Sequence, residues 1–267
     1  MNQDLDLDAY LARIQWGGPT PATFATLAGL LDAHMRAIPF ENLDVLLGRP
    51  VRLDLGALQA KLVRARRGGY CFEHATLFAA VLGQLGFRPI LHTARVVLMR
   101  PRQEAPRTHM IVSVALEDRV YLLDPGFGAL APRMPVPLVD SAPQAEATHW
   151  MARDGVYWLL HARTGGKVAD CWITTLEPEH RVDFELGNHY TATHPESPFV
   201  NNLFMRALVP DGRMTVMNRN ATLWRGDTPQ AIEIADRAAL RRLVAEHFGF
   251  DLPDILHLRI PAIAGWQ

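Results

Sequence analysis

Apolar residues recur every three or four positions along the first third of the chain, which is the spacing of amphipathic helices. One such pattern covers residues 4–15, and the pair Thr20-Pro21 marks the start of a second helix. Asp54 is placed to cap a third helix, and a fourth begins at Cys71. Four helices with short links between them predict a bundle-like subdomain.

The pattern changes after Arg88-Pro89, where branched apolar residues with polar breaks predict strands. The predicted strands are residues 90–99, 110–116, 120–123, 156–161 and 168–175. Tight turns between neighbouring strands favour a small antiparallel barrel or sheet in the middle of the chain. Residues 140–148 predict an exposed loop.

The last third mixes both patterns. Residues 183–192 predict a short helix, and residues 199–209 predict a strand, alone or preceded by a turn. Asp211-Gly212 predicts the turn before a hairpin. Asp236 is placed to cap a final helix that ends at Gly249.

Composition narrows the class of protein. The 267 residues are 49% hydrophobic and carry a net charge of −1, which is typical of a folded domain and argues against a nucleic-acid-binding protein. Lysine occurs only at Lys61 and Lys167, so no polybasic membrane contact is expected. The acidic N-terminus does not resemble a signal peptide, and no apolar run is long enough to span a bilayer. The only cysteines, Cys71 and Cys171, lie far apart, which favours free thiols in the cytoplasm.

Cys71 is the first candidate for chemistry. It follows Gly68-Gly69 and begins an apolar helical pattern, so it lies in or just before the first turn of a helix. Free backbone N–H groups and the helix dipole favour an anion there, which increases the thiolate character of a thiol. On this stretch alone, a nucleophile and a small buried residue are both consistent with Cys71.

His109 and Asp124 supply the groups that a catalytic thiol needs. His109 lies at the mouth of one predicted strand, and Asp124 follows the next strand. Because the two strands are joined by a tight turn, both residues are expected at the same end of one sheet. Asp124 is then placed to hold one imidazole nitrogen while the other faces Cys71.

These residues lie in motifs that resemble the arylamine N-acetyltransferase family. The motifs are Ile38-Pro39-Phe40-Glu41-Asn42-Leu43, Arg67-Gly68-Gly69-Tyr70-Cys71-Phe72-Glu73, His109, Asp124-Pro125-Gly126-Phe127-Gly128 and Asn188-His189-Tyr190-Thr191-Ala192-Thr193-His194-Pro195. The resemblance implies an α+β fold with a helical-bundle first domain (1–88), a β-barrel second domain (89–190) and an α/β lid (191–267). It also implies a Cys-His-Asp triad where these domains meet, arranged as in cysteine proteases.

The resemblance further implies acetyl-CoA as a co-substrate, no permanently bound cofactor, and a primary arylamine or hydrazine as acceptor. By matching positions, the resemblance implies that the acceptor pocket is lined by Phe40, Val97, Phe127 and Phe204. It implies that Gly126 and Gly128 give backbone access to the CoA cleft. Arg67 and Glu41 match a pair that holds the active-site loop. Many members carry an asparagine where this chain has Ala75, and we expect a structural or surface role for the neighbouring His74. The chain is expected to be a monomer or a homodimer without nucleic-acid, membrane or metal partners.

Three other functions remain open at this point. A cysteine hydrolase has the same order of Cys, His and Asp or Asn, and is separated from acetyl transfer if CoA is released only when an amine is present. An amide synthase of the same fold uses a carrier-bound acyl chain, so acceptance of free acetyl-CoA separates the two. A non-catalytic binder of CoA or a small molecule would retain its function in Cys71→Ala.

Overall fold

The computed structural model of the chain describes residues 5–98, 100–141, 147–210, 212–226 and 228–266. Within these residues the α-helices are α1 (Leu7–Arg13), α2 (Phe24–Ala37), α3 (Leu43–Leu46), α4 (Leu55–Leu58), α5 (Cys71–Gln84), α6 (Arg181–Thr193), α7 (Pro198–Asn201) and α8 (Arg237–His247). The strands are β1 (Phe40–Glu41), β2 (Pro89–Val96), β3 (Arg107–Leu116), β4 (Arg119–Leu123), β5 (Val136–Pro137), β6 (His149–Asp154), β7 (Tyr157–Thr164), β8 (Lys167–Thr174), β9 (Phe204–Val209), β10 (Gly212–Met217), β11 (Asn220–Arg225) and β12 (Thr228–Glu233). A π-helical turn, Gln59–Arg64, extends α4, and a 3₁₀ turn covers Gly128–Leu130.

Capping residues explain where the helices of the first domain begin. The Asp54 carboxylate accepts from the backbone N–H of Ala57 at 3.0 Å, which confirms the predicted start of α4. The predicted start of α2 at Thr20-Pro21 is wrong, because the cap is Thr23, whose hydroxyl accepts from the N–H of Thr26 at 3.3 Å. A capping side chain reaches an amide only two or three residues ahead, and Thr20 lies too far upstream.

The middle of the chain forms a seven-stranded antiparallel sheet in the order β5-β4-β3-β2-β8-β7-β6, and it is a nearly closed barrel. The hairpins β3–β4 and β7–β8 are confirmed. The apolar pattern missed β5, a two-residue strand, and β6, which ends in exposed polar residues. Residues 142–146 of the predicted loop and residue 99 of the predicted first strand lie outside the described residues.

The lid contains a second sheet, in the order β1-β9-β10-β11-β12, packed against α8. Its first strand comes from the helical domain, so β1 joins that domain to the lid. The predicted hairpin β10–β11 and the α8 cap at Asp236 are confirmed, although Asp211 of the predicted turn is outside the described residues. The predicted strand 199–209 is β9 preceded by α7, and exposed β12 was missed because its burial pattern has no apolar alternation.

The two predicted domain boundaries differ in where they fall relative to the helices and strands. The first, between residues 88 and 89, falls where β2 begins after α5. The second, between residues 190 and 191, falls inside α6, which is one continuous helix from Arg181 to Thr193. This helix packs on β3 and β2 of the barrel and on α7, and the predicted domain limits stay a prediction. No helix among the described residues has the length and apolar character needed to cross a membrane.

Candidate active site

Cys71 is the first residue of α5 and only 3% of its surface is exposed. The preceding loop is fixed by backbone hydrogen bonds, from Gly69 N–H to Pro39 C=O at 3.2 Å and from Glu41 N–H to Gly69 C=O at 2.8 Å. A Cβ on Gly68 would lie 2.1 Å from the Pro39 carbonyl oxygen, so only glycine allows this approach. The loop therefore delivers the thiol to the helix start in one defined position.

His109 and Asp124 lie together, as the β3–β4 hairpin predicts. The His109 Nε2 and Asp124 Oδ2 atoms are 2.8 Å apart, and both side chains are buried. Because Nε2 is held by Asp124, Nδ1 is the nitrogen left to face the Cys71 side chain, and Cys71 is close enough to raise the pKa of His109. The Cys71 sulfur also lies 3.8 Å from the carbonyl oxygen of Thr108. The structure thus brings a thiol, an imidazole and a carboxylate into one chain of contacts.

Asp124 accepts hydrogen bonds from two more partners inside the protein. The indole Nε1–H of Trp172 donates to Oδ2 at 2.8 Å, and the Gly126 N–H donates to Oδ1 at 3.3 Å. Trp172 lies on β8, 48 residues beyond Asp124. The sequence contains no signal for it, because no spacing relates β8 to the end of β4 before the barrel closes.

The charge on Asp124 decides the protonation of His109. Burial alone lowers the pKa of His109, but the carboxylate outweighs burial and raises the pKa to about 10, with a smaller contribution from Cys71. The imidazole is therefore protonated at neutral pH. An imidazolium next to a thiol favours the thiolate, the form that attacks carbonyl carbon.

The other cysteine has a different environment. Cys171 is buried in the barrel core, and it is a free thiol like Cys71. Burial, followed by the nearby Asp124, raises the pKa of Cys171 to about 12. It stays a protonated thiol at neutral pH, which agrees with the predicted role of a buried strand residue.

A buried network of charges lies behind the loop. Arg67 lies 2.7 Å from Glu41 and 2.7 Å from Asp44, and Lys61 lies 2.7 Å from both Asp44 and Glu73. The second oxygen of Glu73 accepts from the backbone N–H of Tyr70 at 3.1 Å. The Arg67–Glu41 pair was expected, whereas Lys61 and Asp44 were missed because neither lies in a motif with a fixed spacing. The network ties β1, α3 and the π-helical turn to the residues just before Cys71.

His74 belongs to a second buried network. The Tyr10 hydroxyl lies 2.8 Å from Nδ1 of His34, and Nε2 of His34 lies 2.8 Å from Nδ1 of His74. Nε2 of His74 donates to the carbonyl oxygens of Pro39 and Gly69, at 3.2 and 3.1 Å. Each group donates to the next, so one neutral tautomer of each histidine satisfies every atom in the chain. His74 thus has the structural role expected of it, because it links the segment at Pro39 to the loop at Gly69.

Three predicted pocket aromatics approach the site from different elements. The ring of Phe127 lies 5.0 Å from the ring of His109. The ring of Phe40 lies 6.2 Å from the ring of Phe199, and the ring of Phe204 lies 5.5 Å from it. Phe199 was not among the predicted pocket residues. Val97 is half-buried one residue beyond β2, and its N–H donates to the Cys171 carbonyl at 3.0 Å.

The two predicted CoA-site glycines line the same region. A Cβ on Gly126 would lie 2.5 Å from the Cα of Cys71, so only glycine allows the segment after Asp124 to pack this closely on the start of α5. A Cβ on Gly128 would meet the ring of Phe40 at 3.6 Å. A separate cavity of about 600 Å³ is lined by residues of α1, α2, β9 and the end of α8, and no triad residue lines it. No group of three or more potential metal ligands occurs among the described residues.

A buried thiol, imidazole and carboxylate between a helical domain and a barrel are the arrangement of an enzyme that transfers acyl groups through a cysteine. Residues 23–256 match the family model described as N-acetyltransferase. The arylamine N-acetyltransferase of Mycolicibacterium smegmatis is 38% identical over 260 residues, covering 94% of both chains. The chain belongs to the arylamine N-acetyltransferase family.

Solved structures of relatives have the same fold. The arylamine N-acetyltransferase from M. tuberculosis superposes with a TM-score of 0.88 at 36% identity, covering 94% of this chain and 96% of that chain. The Mycobacterium marinum enzyme, solved in complex with CoA, superposes with a TM-score of 0.87 at 34% identity, covering 94% of each chain. The α+β fold predicted from the sequence is confirmed.

Proposed function

We propose that the chain transfers an acetyl group from acetyl-CoA to a primary arylamine or hydrazine in two half-reactions, through an acetyl-Cys71 intermediate. Family membership supports the overall reaction, and the contacts among Cys71, His109 and Asp124 support the roles of these residues. The single observation that carries the proposal is the buried contact of 2.8 Å between Asp124 and His109, with the Cys71 thiol beside the same imidazole.

In the first half-reaction the Cys71 thiolate attacks the thioester carbon and the bond to the CoA sulfur breaks. The imidazolium of His109 gives its proton to the departing CoA thiolate, so CoA leaves as a neutral thiol. His109 is then neutral, and Cys71 carries the acetyl group as a thioester. Asp124 keeps the imidazole in the orientation that both transfers need.

In the second half-reaction a neutral amine attacks the acetyl-cysteine. His109 takes the proton that the amine loses, the carbon–sulfur bond breaks, and the N-acetyl product departs. The thiolate and imidazolium of the resting enzyme are restored. One proton therefore moves through His109 in each direction, and no other acid or base is required.

Both half-reactions pass through an oxyanion. The backbone N–H of Cys71 lies at the first position of α5, where a helix offers no carbonyl partner of its own. We assign this N–H as one donor to the oxyanion.

We further propose that the aromatic side chains bind the acceptor. Phe127 packs beside His109, and Phe40 and Phe204 pack around Phe199, which provides flat apolar surfaces suited to an aromatic ring. The proposed site for CoA lies along Gly126 and Gly128, by position in the motif. Val97 completes the pocket in this proposal.

Mixing the protein with acetyl-CoA alone tests the intermediate. We expect intact-mass and peptide mass spectrometry to find one added acetyl group on Cys71, because the first half-reaction needs no amine. Cys171 is the internal control, since its protonated, buried thiol stays unmodified. An unmodified Cys71 in a preparation that turns over would contradict the mechanism. Steady release of CoA without an amine would instead identify a hydrolase.

A further inference from the structure

Arg206 is a buried cation with no partner. It lies on β9 with 8% of its surface exposed, and its Nε atom has no hydrogen-bond partner. Among the described residues, the Arg206 guanidinium forms no ion pair or hydrogen bond. Burying an unpaired charge is costly, and buried arginines are normally paired with an anion. An anionic group that reaches the Arg206 side chain would therefore be strongly stabilised there.

The surrounding charges do not supply that anion. Burial, together with the cations Arg213 and Arg133, lowers the pKa of Arg206 to about 10. Asp124 is the one negative group that acts in the opposite direction. Its oxygens are already engaged by His109, Trp172 and a backbone N–H. The electrostatic potential around the Arg206 guanidinium is therefore positive and attracts a further negative charge.

The β9 register places Arg206 beside the aromatic pocket. Alternate side chains of a strand share a face, so Arg206 lies on the same face as Phe204. Across the β1–β9 pairing, Arg206 stands directly opposite Phe40. The other face of β9, with Met205 and Ala207, packs into the lid core. Arg206 therefore extends the aromatic surface proposed for the acceptor.

We propose that Arg206 binds a carboxylate on the aromatic acceptor and so selects arylamines that carry one. The planar guanidinium presents paired N–H groups that match the two oxygens of a carboxylate. Phe40 and Phe204 contact the ring of the same molecule. The inference rests on the proposed function for the identity of the acceptor, but the anion site itself does not depend on turnover.

Binding of benzoate and benzamide measures the site without catalysis. The two compounds differ by one charge, and neither has an aryl amine to acetylate. We expect calorimetry to show tighter binding of benzoate by the native protein. In Arg206→Met the dissociation constant for benzoate rises about 10- to 100-fold, the range for losing hydrogen bonds to a charged group, while that for benzamide is unchanged. Replacing an unpaired buried charge by an apolar side chain does not oppose folding.

Kinetics with 4-aminobenzoate and 4-aminobenzamide extend the test to the reaction. Arg206→Met raises the KM for the carboxylate substrate and leaves the KM for the amide and for acetyl-CoA unchanged. Arg206→Lys keeps the charge without the paired donors and gives an intermediate rise. Arg241→Met is the matched control, because it removes an arginine of α8 that pairs with Asp251 and does not act on Arg206, and it leaves the benzoate affinity unchanged.

Three results would overturn the proposal. Equal binding of benzoate and benzamide by the native protein excludes an anion site. If Arg206→Met weakens the binding of benzoate and of benzamide equally, Arg206 contributes through packing and not through its charge. A rise confined to the KM for acetyl-CoA assigns the guanidinium to a CoA phosphate. Benzoate binding that depends on Arg206, together with an unmodified Cys71, would refute the proposed function and leave the anion site standing.

Discussion

At the scale of single residues, the protonation of His109 depends on what surrounds Asp124. The carboxylate is buried, and Trp172 and the backbone N–H of Gly126 donate hydrogen bonds to it. That charge is the reason why the pKa of His109 is raised although burial lowers it. Trp172 therefore affects the Cys71 thiol through Asp124 and His109, and we regard it as a positioning residue.

Trp172→Phe tests this role. The change removes one donor to the carboxylate while keeping an aromatic side chain, and we expect kcat/KM to fall about 10- to 100-fold, the equivalent of one hydrogen bond to a charged group. Trp150→Phe is the control, because Trp150 is equally buried in the barrel but stacks on His161 instead. The basic limb of the rate–pH profile should also move to higher pH in Trp172→Phe alone, because a carboxylate with one donor fewer interacts more strongly with the His109 imidazolium. An unchanged profile would show that Trp172 only fills space.

At the scale of elements, the loop before α5 depends on neutral histidines. Burial lowers the pKa of His74 to about 4, and the carbonyls of Pro39 and Gly69 only partly offset it. The ordinary pKa of an unfolded histidine is about 6.5. Between these two pH values the unfolded chain binds a proton that the folded chain does not. The free energy of unfolding is therefore full above about pH 6.5 and falls as the pH decreases toward 4.

Urea unfolding at pH 7 and pH 5 measures this contribution. We expect His74 to account for a loss of about 2 kcal/mol between the two pH values in the native protein. His74→Gln, which keeps a donor for the carbonyls, should lose less stability than the native protein over this interval. His257→Gln, at an exposed histidine, should behave like the native protein. The idea fails if both variants have the same pH dependence.

At the scale of the whole molecule, Asn42 joins the helical domain to the lid. Its Nδ2 donates to the carbonyls of Phe199 and Asn202, and its Oδ1 accepts from the Phe204 N–H, all at 2.8 Å. Asn42 follows β1, the strand that the first domain contributes to the lid sheet. The proposed acceptor residues Phe40 and Phe204 lie on opposite sides of this junction. Its rigidity therefore sets the shape of the pocket.

Asn42→Ala should weaken the junction. The change leaves three buried backbone groups without partners, and we expect the free energy of unfolding to fall by about 3 kcal/mol. Hydrogen exchange should increase at Phe204 and along β9 more than in the barrel. Asn220→Ala, at an exposed asparagine of β11, should change neither quantity. Uniformly faster exchange throughout the protein would contradict a local role.

Local features of this protein could be predicted from its sequence. Caps and apolar periodicity located α5 and the β3–β4 hairpin, because both depend on residues near one another in the chain. The meeting of His109 with Asp124 follows from that hairpin, whose register is set by a tight turn. The place of Cys71 at a helix start is local in the same way.

Only the tertiary structure decided what surrounds these residues. Trp172 reaches Asp124 when the barrel closes, and Lys61 reaches Glu73 when the π-helical turn packs on α5. Arg206 faces Phe40 because β1 joins the lid sheet from 166 residues upstream, counted between these two partners. Such contacts have no fixed spacing, since they depend on how separate elements pack. Local sequence patterns therefore predict Cys71, His109 and Asp124, whereas the charged groups around them depend on how the elements pack.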